Sequence, residues 1–150
     1  MSENRLILLA EDNDDHALLT TEALESAPGR VTAVHHVHDG QELFEYLEDA
    51  LEASSDGSRM PQLIVLDLQM PKVDGFDVID RLKNDARLRT IPIVVLTSSG
   101  DPGDIQRSYE LGSNSYVQKP VQPGALHARV SQIPFYWLDV NASPPERTTS

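Results

Sequence analysis

Three stretches of this chain are apolar without interruption: LILLA at 6–10, LIVL at 63–66 and IPIVVL at 91–96. A strand with one wet face alternates apolar and polar residues. A short continuous run bounded by polar residues is instead buried on both faces, as in a parallel sheet covered by helices on each side. Pro92 stands in the opening residues of its run, where a missing N–H is tolerated. Two weaker strands fit at 31–37 and 115–118. Between the runs, apolar residues recur at helical spacing. Ala17, Thr20, Leu24 and Ala27 share a face ended by Pro28-Gly29, and Leu43, Leu47, Ala50 and Ser54 share another after Asp39-Gly40. Val78, Ile79, Leu82 and Ala86 form a third, entered through Asp74-Gly75. Ile105 and Tyr109 mark a fourth that stops at Gly112, and Leu126, Val130 and Ile133 a fifth. Strand then helix, five times over with right-handed crossovers, predicts an α/β fold, an open parallel sheet of five strands with helices on both faces.

The 150 residues amount to about one domain, and no Cys is present to form a disulfide or thiolate site. Asp and Glu total 24 against 12 Lys and Arg, a net charge of −12. That balance argues against nucleic acid or an anionic membrane as partner, because each demands a basic face. No apolar run is long enough to span a bilayer. The N-terminus lacks a basic region and a cleavage site, so the expected location is the cytoplasm. Residues 53–60 (ASSDGSRM) and 142–150 (ASPPERTTS) read as a mobile loop and a disordered tail. The expected division is a domain over 1–133 and, over 134–150, a C-terminal aromatic arm with that tail.

In an open α/β sheet, ligands sit beyond the carboxyl ends of the strands. The first strand there delivers Glu11 and Asp12, the third Asp67, the fourth Thr97-Ser98-Ser99 and the fifth Lys119. Converging carboxylates repel unless a cation neutralises them, and Mg²⁺ with its oxygen ligands suits that task. Lysine, a hydroxyl and a metal together suit a phosphoryl group, and an Asp carboxylate can be its nucleophile. Taken singly, Asp14 or Asp15 reads as a solvated helix cap.

On four segments the chain resembles the receiver domains of two-component response regulators. These are LILLAEDN at the first strand, LIVLDLQMPKVDGFD at the third, IPIVVLTSS at the fourth and YELGSNSYVQKP around the fifth. The resemblance implies a flavodoxin-like (βα)5 fold with strand order 2-1-3-4-5, and Asp67 as phosphoacceptor, with Glu11, Asp12, Asp67 and the backbone carbonyl of Gln69 as ligands of Mg²⁺. It implies Lys119 as the phosphate-contacting lysine and Thr97 with Tyr116 as a switch pair. Gln69 and Ser99 fall where the family varies phosphoryl lifetime, and Lys119-Pro120 where it often has a cis peptide. The long loop before the third strand and the segment FYWLDV are similar to regulators that partner bacterial and cyanobacterial phytochromes. That implies a sensor histidine kinase as partner, a bacteriophytochrome among the candidates, and a homodimer built through Phe135, Tyr136, Trp137 and Leu138. Leu126, Val130, Ile133, Trp137 and Val140 form a heptad-like stripe, while Pro134 is expected to kink or break the helix, which either swings the arm outward or, as the alternative, lets it fold back over its own domain.

The expected function is thus a stand-alone regulator, not an enzyme beyond chemistry on its own Asp67, whose output is protein contact rather than DNA binding. Two alternatives stay open: a receiver-like binding module that is never phosphorylated, and a Mg²⁺-dependent phosphohydrolase. The residues offer two lesser candidates. His16 follows the acidic pair and is expected to be a solvated first-turn residue, with a place beside the pocket as the lesser alternative. His35, His36 and His38 cluster on the second strand, with His36 and His38 on one face. Two imidazoles alone make a poor metal site, so a surface or edge role is expected for them.

Overall fold

The computed structural model describes residues 5–26, 31, 33–53 and 60–142. Five strands, β1 (Leu6–Ala10), β2 (Ala33–Val37), β3 (Leu63–Leu66), β4 (Ile93–Thr97) and β5 (Ser115–Gln118), form one sheet of order β2-β1-β3-β4-β5. Every pairing is parallel. The expected order and fold class are the observed ones. The helices are α1 (Asp14–Glu25), α2 (Gly40–Ala53), α3 (Gly75–Lys83), α4 (Pro102–Leu111) and α5 (Pro123–Val130), followed by a short α6 (Gln132–Pro134) and a π-helical turn, Phe135–Val140.

Alternation within the apolar runs splits the core in two. Leu8, Ala10, Ile64, Leu66, Ile93 and Val95 face one side, where they meet Leu43 and Leu47 of α2 and Val78, Ile79 and Leu82 of α3. Ile7, Leu9, Leu63, Val65, Val94 and Leu96 face the other, against Ala17, Ala23 and Leu24 of α1 and Val130 of α5. Side chains of β1, β3 and β4 are nearly all fully buried, as continuous runs require. Edge strand β2 is covered less, which is why its sequence admits two His, with His38 just beyond its end.

Several boundaries differ from those the sequence predicts. Strand β2 begins at Ala33, not residue 31, and β4 begins at Ile93, where the side chain of Asn114 takes the Ile93 N–H (2.8 Å). Helix α3 stops at Asn84, so Ala86 is exposed and Leu88, beyond the helix, fills the core instead. In α4 the buried residue is Ser108, whose hydroxyl returns to the Asp104 carbonyl (2.8 Å), while Tyr109 faces outward. Gly112 ends α4 at φ 113°, a conformation glycine adopts without strain. No described peptide bond is cis, so Lys119-Pro120 is trans; proline's tertiary amide holds the two isomers close in energy. The positions Ala27, Pro28-Gly29 and Ser54, loop residues 54–59 and tail residues 143–150 lie outside the described residues.

The C-terminal segment does not swing away. Pro134 is buried, and the chain stays helical through it by widening into the π-helical turn. Trp137 and Leu138 pack on the α1/α5 side of the core, and Arg5 at the start of β1 binds the Leu138 carbonyl (3.1 Å) and Asp139 (2.9 Å). Phe135, Tyr136 and Val140 are each about half exposed.

Candidate functional site

Parallel pairing carries the ends of β1, β3, β4 and β5 to one edge, and the local backbone fixes what stands there. The Glu11 N–H bonds to the Val37 carbonyl (3.0 Å) and the Asp67 N–H to the Ala10 carbonyl (3.0 Å). The Lys119 N–H bonds to the Thr97 carbonyl (2.7 Å). Each ladder thus runs one residue past its strand and delivers the side chain with it. Gly75 closes the far wall. Its N–H bonds to the Leu68 carbonyl (3.0 Å), and a Cβ there would stand 2.5 Å from the Leu68 Cα and 2.7 Å from the Asp67 carbonyl oxygen. Glycine is therefore what lets α3 begin against the segment that carries Asp67.

Lys119 Nζ lies 2.6 Å from Glu11 Oε1, 3.3 Å from Asp67 Oδ2 and 3.4 Å from His16 Nδ1. Asn13 N–H donates to the other Glu11 oxygen (3.2 Å) and Gln69 N–H to Asp67 Oδ1 (3.1 Å). Glu11, Asp67 and Lys119 are buried, whereas Asp12 is exposed. Burial pushes the Glu11 carboxyl above its ordinary range and the charge of Asp67 adds to this, against the opposing pull of Lys119. One carboxylate oxygen from each of Glu11, Asp12 and Asp67 lies within 4.8 Å of the others. An all-oxygen donor set of this kind fits a hard divalent cation, and one ammonium cannot neutralise three carboxylates. Thr97 is fully buried, and its hydroxyl has no hydrogen-bond partner among the described residues. A buried donor left unpaired is uncommon and calls for an acceptor. The Tyr116 hydroxyl donates to the Ser99 carbonyl (2.8 Å), tying β5 to the loop after β4.

The structure therefore brings Glu11, Asp12, Asp67 and Lys119 together, puts Gln69 on their border, and places Thr97 on the adjacent strand end. His16 is a neighbour of Lys119. The sequence reading did not single out the Asn13 N–H or Gly75's steric role; the only sequence signals were a cap residue after an acidic pair and an Asp-Gly helix entry.

The histidines sort differently. His35 stacks on Tyr46, with ring centroids 4.4 Å apart. His38 bridges Glu42 (3.2 Å) and Asp14 (3.0 Å), and the hydrogen bond to Glu42, followed by that to Asp14, raises its pKa above the ordinary 6.5. The protonated form is thus favoured by folding, so this contribution to stability is present below pH 6.5 and lost as pH rises through the folded value. In metal-free buffer, an NMR titration of His38 is expected to have a midpoint above 6.5, lowered by Glu42→Gln and by Asp14→Asn. An identical midpoint in all three proteins would contradict the bridge.

The family model for the response regulator receiver domain matches residues 7–131, and the chain belongs to that family. It is 34% identical over 143 residues to the response regulator Rcp1 of Synechocystis, covering 93% of each chain. It is 40% identical over 139 residues to the probable methanogenesis regulatory protein FilR2 of Methanothrix harundinacea, covering 93% of this chain and 87% of that relative. The phosphorylated cyanobacterial phytochrome response regulator RcpA matches with a TM-score of 0.85 at 36% identity, covering 95% of this chain and 100% of that one. The Mn²⁺-bound form of Rcp1 matches at 0.82 and 33%, covering 94% and 99%. No helix among the described residues is long and apolar enough to cross a membrane.

Proposed function

We propose that this receiver accepts a phosphoryl group on Asp67 from the phosphohistidine of a sensor kinase, with Mg²⁺ held by Glu11, Asp12, Asp67 and the Gln69 carbonyl. The observation that carries the reading is the meeting of Asp67 and Lys119 at 3.3 Å beside the fully buried hydroxyl of Thr97, which has no partner among the described residues. An Asp67 oxygen attacks phosphorus, the P–N bond of the kinase breaks, and its electron pair stays on the imidazole, which takes up a proton. Mg²⁺, when bound, neutralises charge on the phosphoryl oxygens. Lys119 balances further charge from its place beside Asp67, and Gln69 N–H orients the acceptor carboxylate through Oδ1. Incubation with acetyl phosphate and Mg²⁺ tests the reading. Stable single labelling supports it, absence of labelling favours a pure binding module, and repeated turnover favours a phosphohydrolase.

Thr97 and Tyr116 form the proposed switch. The phosphoryl adds acceptor oxygens and negative charge, and the Thr97 hydroxyl at the pocket's edge has no hydrogen-bond partner among the described residues. Tyr116, linked to Ser99, reports its movement to the β4–α4 loop and β5. Thr97→Ala is expected to change the stability of the unmodified protein by less than about 1 kcal/mol, since the hydroxyl lost was unpaired. It should still accept phosphate, but hydrogen exchange in α4 and β5 should no longer respond. A response equal to wild type would remove Thr97 from the switch.

In this reading the regulator works in the cytoplasm through protein contacts; the relatives covered nearly end to end support a stand-alone receiver, and the one named for phytochrome signalling supports a phytochrome-type kinase as partner. The domain and arm meet at 133/134 in this reading, and the arm builds a homodimer. Its half-exposed Phe135 and Tyr136, together with Leu18 and Leu19 exposed on α1, supply the apolar surface. The double variant Phe135→Ala/Tyr136→Ala is expected to weaken self-association at least thirtyfold, or about 2 kcal/mol, in analytical ultracentrifugation, with folding intact. A wild-type monomer at high micromolar concentration rules the dimer out.

A further inference from the structure

The sequence supplies two imidazoles on one side of β2, and the fold adds the ligand that they lacked. Asp14, the first residue of α1, stands beside them. One ring nitrogen each from His36 and His38 and one Asp14 oxygen lie within 4.8 Å of one another, and the two rings are 4.4 Å apart, centre to centre.

Which nitrogens are available follows from hydrogen bonding. His36 Nε2 is 2.7 Å from the Glu11 carbonyl oxygen, which can only accept. Nε2 therefore carries the proton, and the lone pair of neutral His36 is on Nδ1. His38 Nδ1 is 3.2 Å from Glu42 Oε1, leaving Nε2 to face Asp14 Oδ1 at 3.0 Å. The Glu42 oxygen is itself held by the His38 N–H at 3.0 Å. Each ring thus has one nitrogen tied to an oxygen of the framework, one a backbone carbonyl and one a carboxylate. Metal-binding histidines are held in this way, because the outer acceptor fixes the tautomer and the ring plane. A plain surface ion pair explains His38 with Asp14 and Glu42, but gives His36 no part.

We propose that Asp14, His36 and His38 form a second metal site, for a borderline divalent transition cation such as Zn²⁺, completed by water. Two nitrogens and one oxygen select that class. The neighbouring Glu11, Asp12 and Asp67 offer oxygen alone, which suits Mg²⁺. The two sites share Glu11, whose carbonyl orients His36 while its carboxylate faces Lys119. Asp14 is largely exposed, so the site is open to exchange with solvent metal rather than sealed.

The test titrates the full chain with Zn²⁺ in saturating Mg²⁺, by calorimetry and by NMR of the imidazole groups. The expected result is one Zn²⁺ per chain, with the His36 and His38 rings shifting together and His35 and His127 unmoved. His38→Ala and Asp14→Ala, both at exposed positions, should each weaken binding at least tenfold. Glu42→Gln should weaken it by about tenfold through the loss of ring orientation. Asp67→Asn should leave it unchanged, which separates this site from the oxygen pocket. Circular dichroism confirms that each variant folds, and His38→Gln serves if His38→Ala does not. Zn²⁺ binding that Mg²⁺ competes away, that Asp67→Asn abolishes, or that survives every His38 and Asp14 variant overturns the proposal, as does the absence of binding.

Discussion

Asp67→Asn is expected to reduce labelling by acetyl phosphate by at least about three orders of magnitude, the scale lost when an essential nucleophile is removed. The substitution is nearly isosteric, and its amide oxygen can still accept the Gln69 N–H that Oδ1 accepts at 3.1 Å. It removes the carboxylate charge, and with it the oxygen nucleophile. Folding should not suffer. Asp67 is one of three carboxylates whose oxygens gather within 4.8 Å, so neutralising it relieves repulsion on buried Glu11. The metal-free variant should melt no lower than wild type, while its gain in melting temperature from Mg²⁺ should shrink. Intact-mass spectrometry reads the first effect and thermal denaturation the second. Ordinary labelling of the variant would move the acceptor elsewhere.

The strands and the pocket were legible in the sequence for one physical reason. A continuous apolar run buried on both faces fixes a strand, and a parallel strand's carboxyl end fixes the functional edge. Glu11, Asp67 and Thr97 each follow or close such a strand, so placing the strands placed them, whereas Lys119 follows the weaker, half-buried β5. What failed to read out depends on packing between helices. Tyr109 and Ser108 are adjacent in α4, and the buried one is the smaller, because Ser108 can return its hydroxyl to its own helix at Asp104 while a tyrosine is wide and polar-tipped. Ala86 continued the period of α3, but the chain turns after Asn84 and Leu88 buries more apolar surface from the turn than alanine could from a further helical turn. Asp14 read as an ordinary first-turn acid. Its meeting with His36 and His38 is made by the pairing of β1 with β2, which no local window contains. Pro134 read as a breaker, yet a wider helical turn absorbed it and let Trp137 reach the core.

Removing the charge of Lys119 should have the largest effect on stability. Lys119→Met keeps most of the side chain's length and bulk and deletes the ammonium that stands 2.6 Å from Glu11 and 3.3 Å from Asp67. Both carboxylates are buried, so they lose their neutralising partner without gaining water. Breaking a buried ion pair from one side costs about 3–5 kcal/mol. Chemical denaturation at pH 7 without metal should show a loss of that order. The pH dependence has a defined sign. Burial already raises the Glu11 pKa, and its opposing influence, Lys119, is gone in the variant. A carboxyl raised in the fold favours the folded state while protonated, and that contribution is lost as pH rises through the folded value. The deficit of Lys119→Met against wild type should therefore be small at acidic pH and grow toward pH 8. Mg²⁺ brings positive charge to the same carboxylates, so it should raise the melting temperature of the variant more than that of wild type. A deficit under about 1 kcal/mol that does not vary with pH or Mg²⁺ would mean that the carboxylates are neutralised by something other than Lys119.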